Sequence, residues 1–289
     1  METEKCRVLL CALDCGSFTA AAEKLGYTTS GVSRMMAALE AETGFNLFNR
    51  CKGGVEATAE CAELISIMRE LVHQADVFEQ KARSIKGLEI GTVTVGAAYG
   101  AYYSWLARLT AEFCRRYPGV KVSTLWGRSS DLNSALHERR ADLCVISRRD
   151  DNCKWISLHQ DELLVLLPAN HPLAEKGSVP VSILETEPFI EIYPGEETDN
   201  SMLFKKLGIT PSVRYTSNDT LVACSMVEAG LGITLMNSVL VETLRSSVVA
   251  LPLAPAYNVE IGIALPEDGT ASPAAEKFIE FAMKHIDEI

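Results

Sequence analysis

Several features that would announce a function are missing from this sequence. No stretch reaches the roughly 18 to 20 apolar residues needed to cross a bilayer, so no membrane span is expected. Positive charge is scarce: 27 Lys and Arg stand against 38 Asp and Glu, a formal net charge of -11. That balance excludes a uniformly basic wrapping protein, but not one that needs only a local positive face. No Gly-x-Ser-x-Gly, P-loop or dinucleotide glycine pattern is found, and the five histidines form no His-Glu-x-x-His. Nucleophile-elbow, nucleotide and zinc-protease chemistry therefore have no seat, and neither an enzymatic activity nor a metal or cofactor is expected. The nine cysteines (6, 11, 15, 51, 61, 114, 144, 153 and 224) are odd in number and contain no Cys-x-x-Cys pair. A disulfide scaffold and a zinc knuckle are both excluded on that spacing. The first residues, Met1 to Cys6, are acidic and are followed by no apolar signal segment, which points to the cytoplasm.

Local patterns are strongest at the N-terminal end. Residues 4–15 repeat apolar side chains at helical spacing, with Val8, Leu9, Ala12 and Leu13 inward. Gly16 breaks this helix, and Ser17 is a good cap for a second over 18–25, whose small Ala21 and Ala22 permit close crossing. Gly26-Tyr27-Thr28 forms a turn, and Thr28 or Thr29 caps a third helix running to Thr43. Two short helices joined by a tight turn, the second with a polar outer face, make a helix-turn-helix. Gly53-Gly54 between short extended pieces over 49–57 reads as a wing hairpin.

Thr58 caps a long helix from 59 to about 86, with an apolar stripe of Leu64, Ile65, Met68, Leu71, Val72, Ala75, Phe78 and Ala82. A helix of about 28 residues spans roughly 40 Å, and pairing with a second copy is the expected way to cover the stripe. After a hinge over 84–91 the pattern changes to strands alternating with helices. Strands are expected at 91–96, 120–125, 142–146, 162–167, 188–192, 212–216 and 258–265, and helices at 102–116, 129–139, 199–207, 219–229, 237–244 and 272–286. Such alternation implies mostly parallel sheets with ligand sites at the strand carboxyl ends. The expected architecture is α plus α/β: a winged helix-turn-helix (1–58), a linker helix (59–87) and a two-lobed domain (88–289). Lobe I would hold 88–162 and 266–289, and lobe II 163–265.

In that order and spacing, the sequence resembles the LysR-type family of bacterial transcriptional regulators. The likeness is carried by Gly16-Ser17-Phe18, Ala21-Ala22, Val32-Ser33-Arg34, Leu39-Glu40, Leu47-Phe48, Arg50 and Thr58. In the C-terminal part it is carried by Tyr117-Pro118-Gly119-Val120, Ala141-Asp142-Leu143, His171-Pro172-Leu173-Ala174 and Glu228-Ala229-Gly230-Leu231-Gly232. The resemblance implies binding to an interrupted inverted repeat near a promoter as a homodimer or homotetramer, and contact with RNA polymerase if the chain activates. It also implies a small-molecule effector held between two lobes like those of periplasmic binding proteins.

A recognition helix fits the major groove, where base edges are distinguishable. Thr29, Ser30, Ser33 and Arg34 are the candidate readers, with Arg50 and Lys52 of the wing reaching phosphates or the minor groove. Thr29 and Ser30 also suit simple capping, and Arg50 an internal salt bridge. The chain departs from the family at Thr29-Ser30-Gly31, where glutamine is expected first, at Gly53-Gly54, where arginine is usual, and at Ala57 and Cys61. Threonine cannot make the bidentate adenine contact of glutamine, so a relaxed base preference is expected.

For the effector, positions matching the family's cleft are Ala98, Tyr99 and Gly100, then Arg128, Ser129 and Ser130, then Ser147 and Arg148, Thr198, and Ser217 with Asp219. The two arginines and the helix N-termini point to an anionic metabolite, aromatic if the tyrosines stack on it. Asp219 and Asp142 also suit capping or structural roles. Two rival readings stay open: a redox sensor on the same fold, with Cys144 and Cys153 as the pair, and a ligand-binding module with weakened DNA binding.

Overall fold

Two side-chain caps set the geometry of the N-terminal domain. In the computed structural model, which describes residues 2–51, 54–86, 89–244, 247–267 and 271–286, three helices come first: α1 (Thr3–Cys15), α2 (Phe18–Leu25) and α3 (Thr29–Thr43). The Ser17 hydroxyl accepts the Ala20 N–H and starts α2; the Thr28 hydroxyl accepts the Gly31 N–H at 3.1 Å and starts α3. Thr28 is thus the cap, and Thr29 is left on the outer surface. Gly26 takes the left-handed backbone (φ 73°) that turns the chain between α2 and α3. Ala21 and Ala22 are buried at the crossing, and Leu9, Val32, Met36, Leu39 and Leu47 fill the core around them.

The wing is an antiparallel pair, β1 (Phe48–Cys51) and β2 (Gly54–Ala57). Gly54 has φ 136° and lies directly on the Gly16 carbonyl, which accepts the Val55 N–H at 2.9 Å. A Cβ at position 54 would collide with that carbonyl, so the glycine lets the wing dock on the turn after α1. Lys52 and Gly53 lie outside the described residues.

The linker helix α4 (Ala59–Ile85) starts at Thr58, whose hydroxyl accepts the Cys61 N–H at 3.1 Å and donates to the Asn46 carbonyl at 2.9 Å. Its apolar stripe does not all await a partner. Leu64, Ile65, Met68 and Val72 pack into the chain's own N-terminal core, where α4 lies along α1. Arg7 to Asp76 (2.7 Å) and Arg69 to Asp14 (2.6 Å) fasten the same contact. The large apolar side chains left outside are Ile67, Leu71, Phe78 and Ile85, on a different face. The expectation that the whole stripe pairs with a second copy is corrected accordingly: α1 reaches far enough to cover its first half.

The C-terminal part runs through β3 (Gly91–Ala97), α5 (Tyr103–Arg116), β4 (Val120–Trp126), α6 (Ser129–His137), β5 (Leu143–Ser147) and a long β6 (Cys153–Leu167). Lobe II follows with β7 (Val179–Pro180), α7 (Ile183–Thr186), β8 (Phe189–Ile192), α8 (Asp199–Leu207), β9 (Val213–Ser217), α9 (Thr220–Glu228), β10 (Thr234–Asn237), α10 (Ser238–Val241) and β11 (Val249–Ala254). The chain closes with β12 (Asn258–Pro266) and α11 (Pro273–Lys284). The main sheet has the order β4-β3-β5-β12-β6-β11-β7, with β10 also on β6 and β8-β9 as a separate pair.

Two expectations change here. The sheet is mixed rather than mostly parallel: β3 runs parallel to β4 and β5, but β12 is antiparallel to β5 and β6, and β6 is antiparallel to β10 and β11. β12, expected in lobe II, sits in lobe I between β5 and the first part of β6, from Asn258 opposite Glu162 to Pro266 opposite Cys153. The reason is connectivity. β6 carries the chain into lobe II, and the returning segment pairs beside it in the opposite direction. Among the described residues no helix is long and apolar enough to cross a membrane.

Candidate DNA-reading face and inter-lobe cleft

The N-terminal part of α3 presents Thr29, Ser30 and Arg34 to solvent, with Ser33 half-buried beside them. Ser30 Oγ stands 3.2 Å from Thr28 Oγ1, so its hydroxyl is shared with the cap. Arg34 has no ion-pair or hydrogen-bond partner among the described residues, in contrast to Lys5, held by Glu42 at 2.5 Å, and Arg7, held by Asp76. A free guanidinium on the outer face of α3, the second helix of the helix-turn-helix pair, suits a phosphate or a guanine edge. Arg50 lies on β1 of the wing.

The second site is a cavity of about 720 Å³ between the lobes. Of the residues expected there, Ala98, Tyr99, Gly100, Arg128, Ser129 and Thr198 line it. The N-terminus of α6 brings Arg128 and Ser129, the end of β3 brings Ala98 and Tyr99, and the α8 cap brings Thr198. Ser130 turns its hydroxyl onto the Glu197 carbonyl at 2.9 Å and so joins the lobes. Ser147 is buried beneath the cavity. Ser217 and Asp219 are spent on a turn and a cap, the Asp219 carboxylate accepting the Leu221 and Val222 N–H groups at the start of α9. Their neighbours Asn218 and Thr220 line the cavity instead.

Arg148 is a correction. Its side chain points away from the cleft, pairing with Asp151 at 2.8 Å and Glu260 at 3.3 Å and lying over Trp155. Arg149 takes the cleft position. The reason is the period of two along an extended chain, which puts 149, not 148, on the side of Ser147. Trp126, Tyr193, Asn200 and Asn237 also line the site without having been expected there.

At the centre is Asp199, the first residue of α8 and a member of lobe II. Its carboxylate accepts the Ser147 hydroxyl at 2.6 Å, the Tyr99 hydroxyl at 2.7 Å and Arg149 Nη1 at 2.8 Å, all three donors from lobe I. Ser129 Oγ accepts the Ser147 N–H at 3.0 Å and stands equally close to the Ser147 hydroxyl, fixing that donor. The Arg149 and Asp199 side chains are only 4% and 6% exposed. Burial pushes the Asp199 carboxyl up, but Arg149, Ser147 and Tyr99 outweigh it and hold the group below the usual carboxylate range. Burial and the charge of Asp199 push the Tyr99 phenol well above its ordinary value, so it stays a donor. Arg128, at the cavity rim, is bidentate to Asp131 at 2.8 Å, reaches Glu196 at 3.0 Å and lies over Tyr193.

A winged helix-turn-helix joined by a linker helix to a two-lobed domain around a cavity defines a ligand-responsive DNA-binding class. Comparison with known proteins fixes the family. Residues 3–62 match the bacterial regulatory helix-turn-helix model of the lysR family, and residues 86–287 match the LysR substrate binding domain. Among relatives, the uncharacterised regulator YvbU of Bacillus subtilis is 28% identical over 98% of each chain. Among solved structures, a full-length OxyR variant from Pseudomonas aeruginosa superposes with a TM-score of 0.71 at 21% identity, covering 99% of this chain and 97% of that one. CbnR complexed with its target DNA gives 0.50 at 19% identity, over 99% and 100%. The chain belongs to the LysR family of bacterial transcriptional regulators; it is a DNA-binding protein and not an enzyme.

Proposed function

We propose that α3 enters the major groove of an inverted repeat near a promoter, that two or four copies bind together, and that a small molecule in the inter-lobe cavity sets the response. Thr29, Ser30, Ser33 and Arg34 read or position from α3, while Arg50 and Lys52 of the wing contact the backbone. RNA polymerase becomes a partner where the bound site lies beside a promoter. The observation that carries the DNA half is the exposed Arg34, unpaired among the described residues, on an otherwise small and polar face; that carrying the effector half is the cavity itself.

Arg34→Ala is expected to weaken operator binding by about 1–3 kcal/mol per reading helix, roughly five- to a hundred-and-fifty-fold. Thermal stability should stay unchanged, because the side chain is exposed and makes no ion pair or hydrogen bond among the described residues. Fluorescence anisotropy on an operator duplex at fixed salt checks this. Unchanged affinity would remove Arg34 from the interface.

The redox reading finds no support in the cysteine pair. Cys144 is fully buried, and burial pushes its thiol up to about 12, which leaves no thiolate to react. Cys144 is on β5 and Cys153 starts β6, with β12 between them. Two strand spacings put the backbones at least about 9–10 Å apart, beyond the roughly 7 Å that a disulfide tolerates.

A further inference from the structure

The cleft carries its own carboxylate. We propose that Asp199 is a built-in occupant of the polar subsite on lobe I, and that the effector taken by the remaining cavity is therefore uncharged, with an apolar body and a hydrogen-bond acceptor. This rests on the reading of the cavity as the effector site.

Four observations lead there. The three donors on Asp199 come from two segments of lobe I, Tyr99 after β3 and Ser147 with Arg149 at the end of β5, and converge on one carboxylate supplied by the opposite lobe. A small carboxylate seeking that subsite would need these same donors, and Asp199 has taken them. The rim guanidinium is no more available: Arg128 is already held by both Asp131 and Glu196. Around the cavity wall, three carboxylates (Asp131, Glu196, Asp199) face two guanidiniums (Arg128, Arg149), so a further anion would enter against repulsion. Finally, Asn237 lines the cavity, is 7% exposed, and has a side-chain N–H group, Nδ2, with no partner among the described residues. A buried donor without an acceptor is costly, and turning this amide toward the cavity would let a neutral carbonyl or hydroxyl oxygen on a ligand satisfy it. The wall beside it is apolar, from Ile192, Leu235, Met236 and Leu240. The anionic metabolite expected from the arginines alone is thus replaced by a neutral one, because both arginines are already neutralised within the fold.

The experiment is a carboxylate rescue on the full-length protein without DNA. Asp199→Ala leaves the buried Arg149 with only Glu197, 4.0 Å away, as a counter-charge, and the melting temperature is expected to fall by roughly 5–15 °C. Acetate, compared with chloride at equal ionic strength, should restore most of that loss along a saturable curve. Acetamide should not, and acetate should leave the wild type unmoved. Asp199→Asn, whose side chain still fills the subsite, should fall less and gain nothing from acetate. An Asp199→Ala protein indifferent to acetate, or a wild type stabilised by it to the same degree, overturns the proposal. Should Asp199→Ala fail to fold, calorimetric titration of the wild type with acetate and with benzoate decides: no saturable binding is expected, and saturable binding of either overturns it. Because DNA is absent, a failure here is distinct from a failure of the cleft to control transcription, which would show as normal rescue but no effect of any ligand on operator binding.

Discussion

Arg149→Met is expected to destabilise the protein by about 3–5 kcal/mol, while Arg148→Met, one residue earlier, stays within about 0.5 kcal/mol. The two side chains differ in what they leave behind. Removing Arg149 strands the Asp199 carboxylate in a site where both side chains are less than a tenth exposed. Removing Arg148 releases Asp151, which is 89% exposed, and Glu260, and water takes over both. Thermal denaturation of the two variants side by side checks this; equal losses would mean that the Arg149–Asp199 pair does not hold the lobes together.

The difference should also depend on pH in a defined direction. In the wild type the folded Asp199 lies below its unfolded value. Its contribution is therefore complete above the ordinary carboxylate range and is lost as pH falls through the folded value. In Arg149→Met the largest influence opposing burial is gone, so the folded carboxyl rises relative to the wild type. That variant gains relative stability on acidification. The gap between the two proteins is thus widest at neutral pH and narrows toward pH 4.

Phe78→Glu is expected to convert the assembly to monomers and to lower operator affinity by a hundredfold or more, since two reading helices would no longer be linked. Phe78 is 75% exposed, Ile67 63% and Ile85 80%, along a helix whose neighbouring face is covered by α1 over its first half. Large apolar side chains in that arrangement call for a partner surface, and a second copy of α4 supplies an identical one. Sedimentation velocity reads the mass directly. A Phe78→Glu protein that keeps the wild-type mass would place the interface elsewhere.

The N-terminal domain was legible because its signals are local. Caps at Ser17, Thr28 and Thr58, a glycine turn and helical periodicity all act within a few residues. The linker helix was legible as a helix but not in its orientation. Leu64 and Met68 look like Phe78 in sequence, and only the reach of α1 separates them. The first half of β6 was missed because Cys153–Asp161 alternates weakly and carries Lys154, His159 and Gln160 on a half-exposed strand. β11 was missed because its pairing with β6 and β7 is between segments distant in the chain. At the cleft, position was legible and chemistry was not. Arg128 and Tyr99 were placed by their elements, but what neutralises Arg149 lies 50 residues away in the other lobe, and no local pattern reports such a pairing.

Selection of sheared genomic DNA by the purified full-length protein, at roughly 0.15 M salt where non-specific phosphate binding is already weakened, tests the central claim most directly. The expected result is recovery of a few sites sharing an interrupted inverted repeat, lost in Arg34→Ala. Recovery of no sequence above background, with or without effector candidates, would contradict the assignment of α3 as a sequence reader.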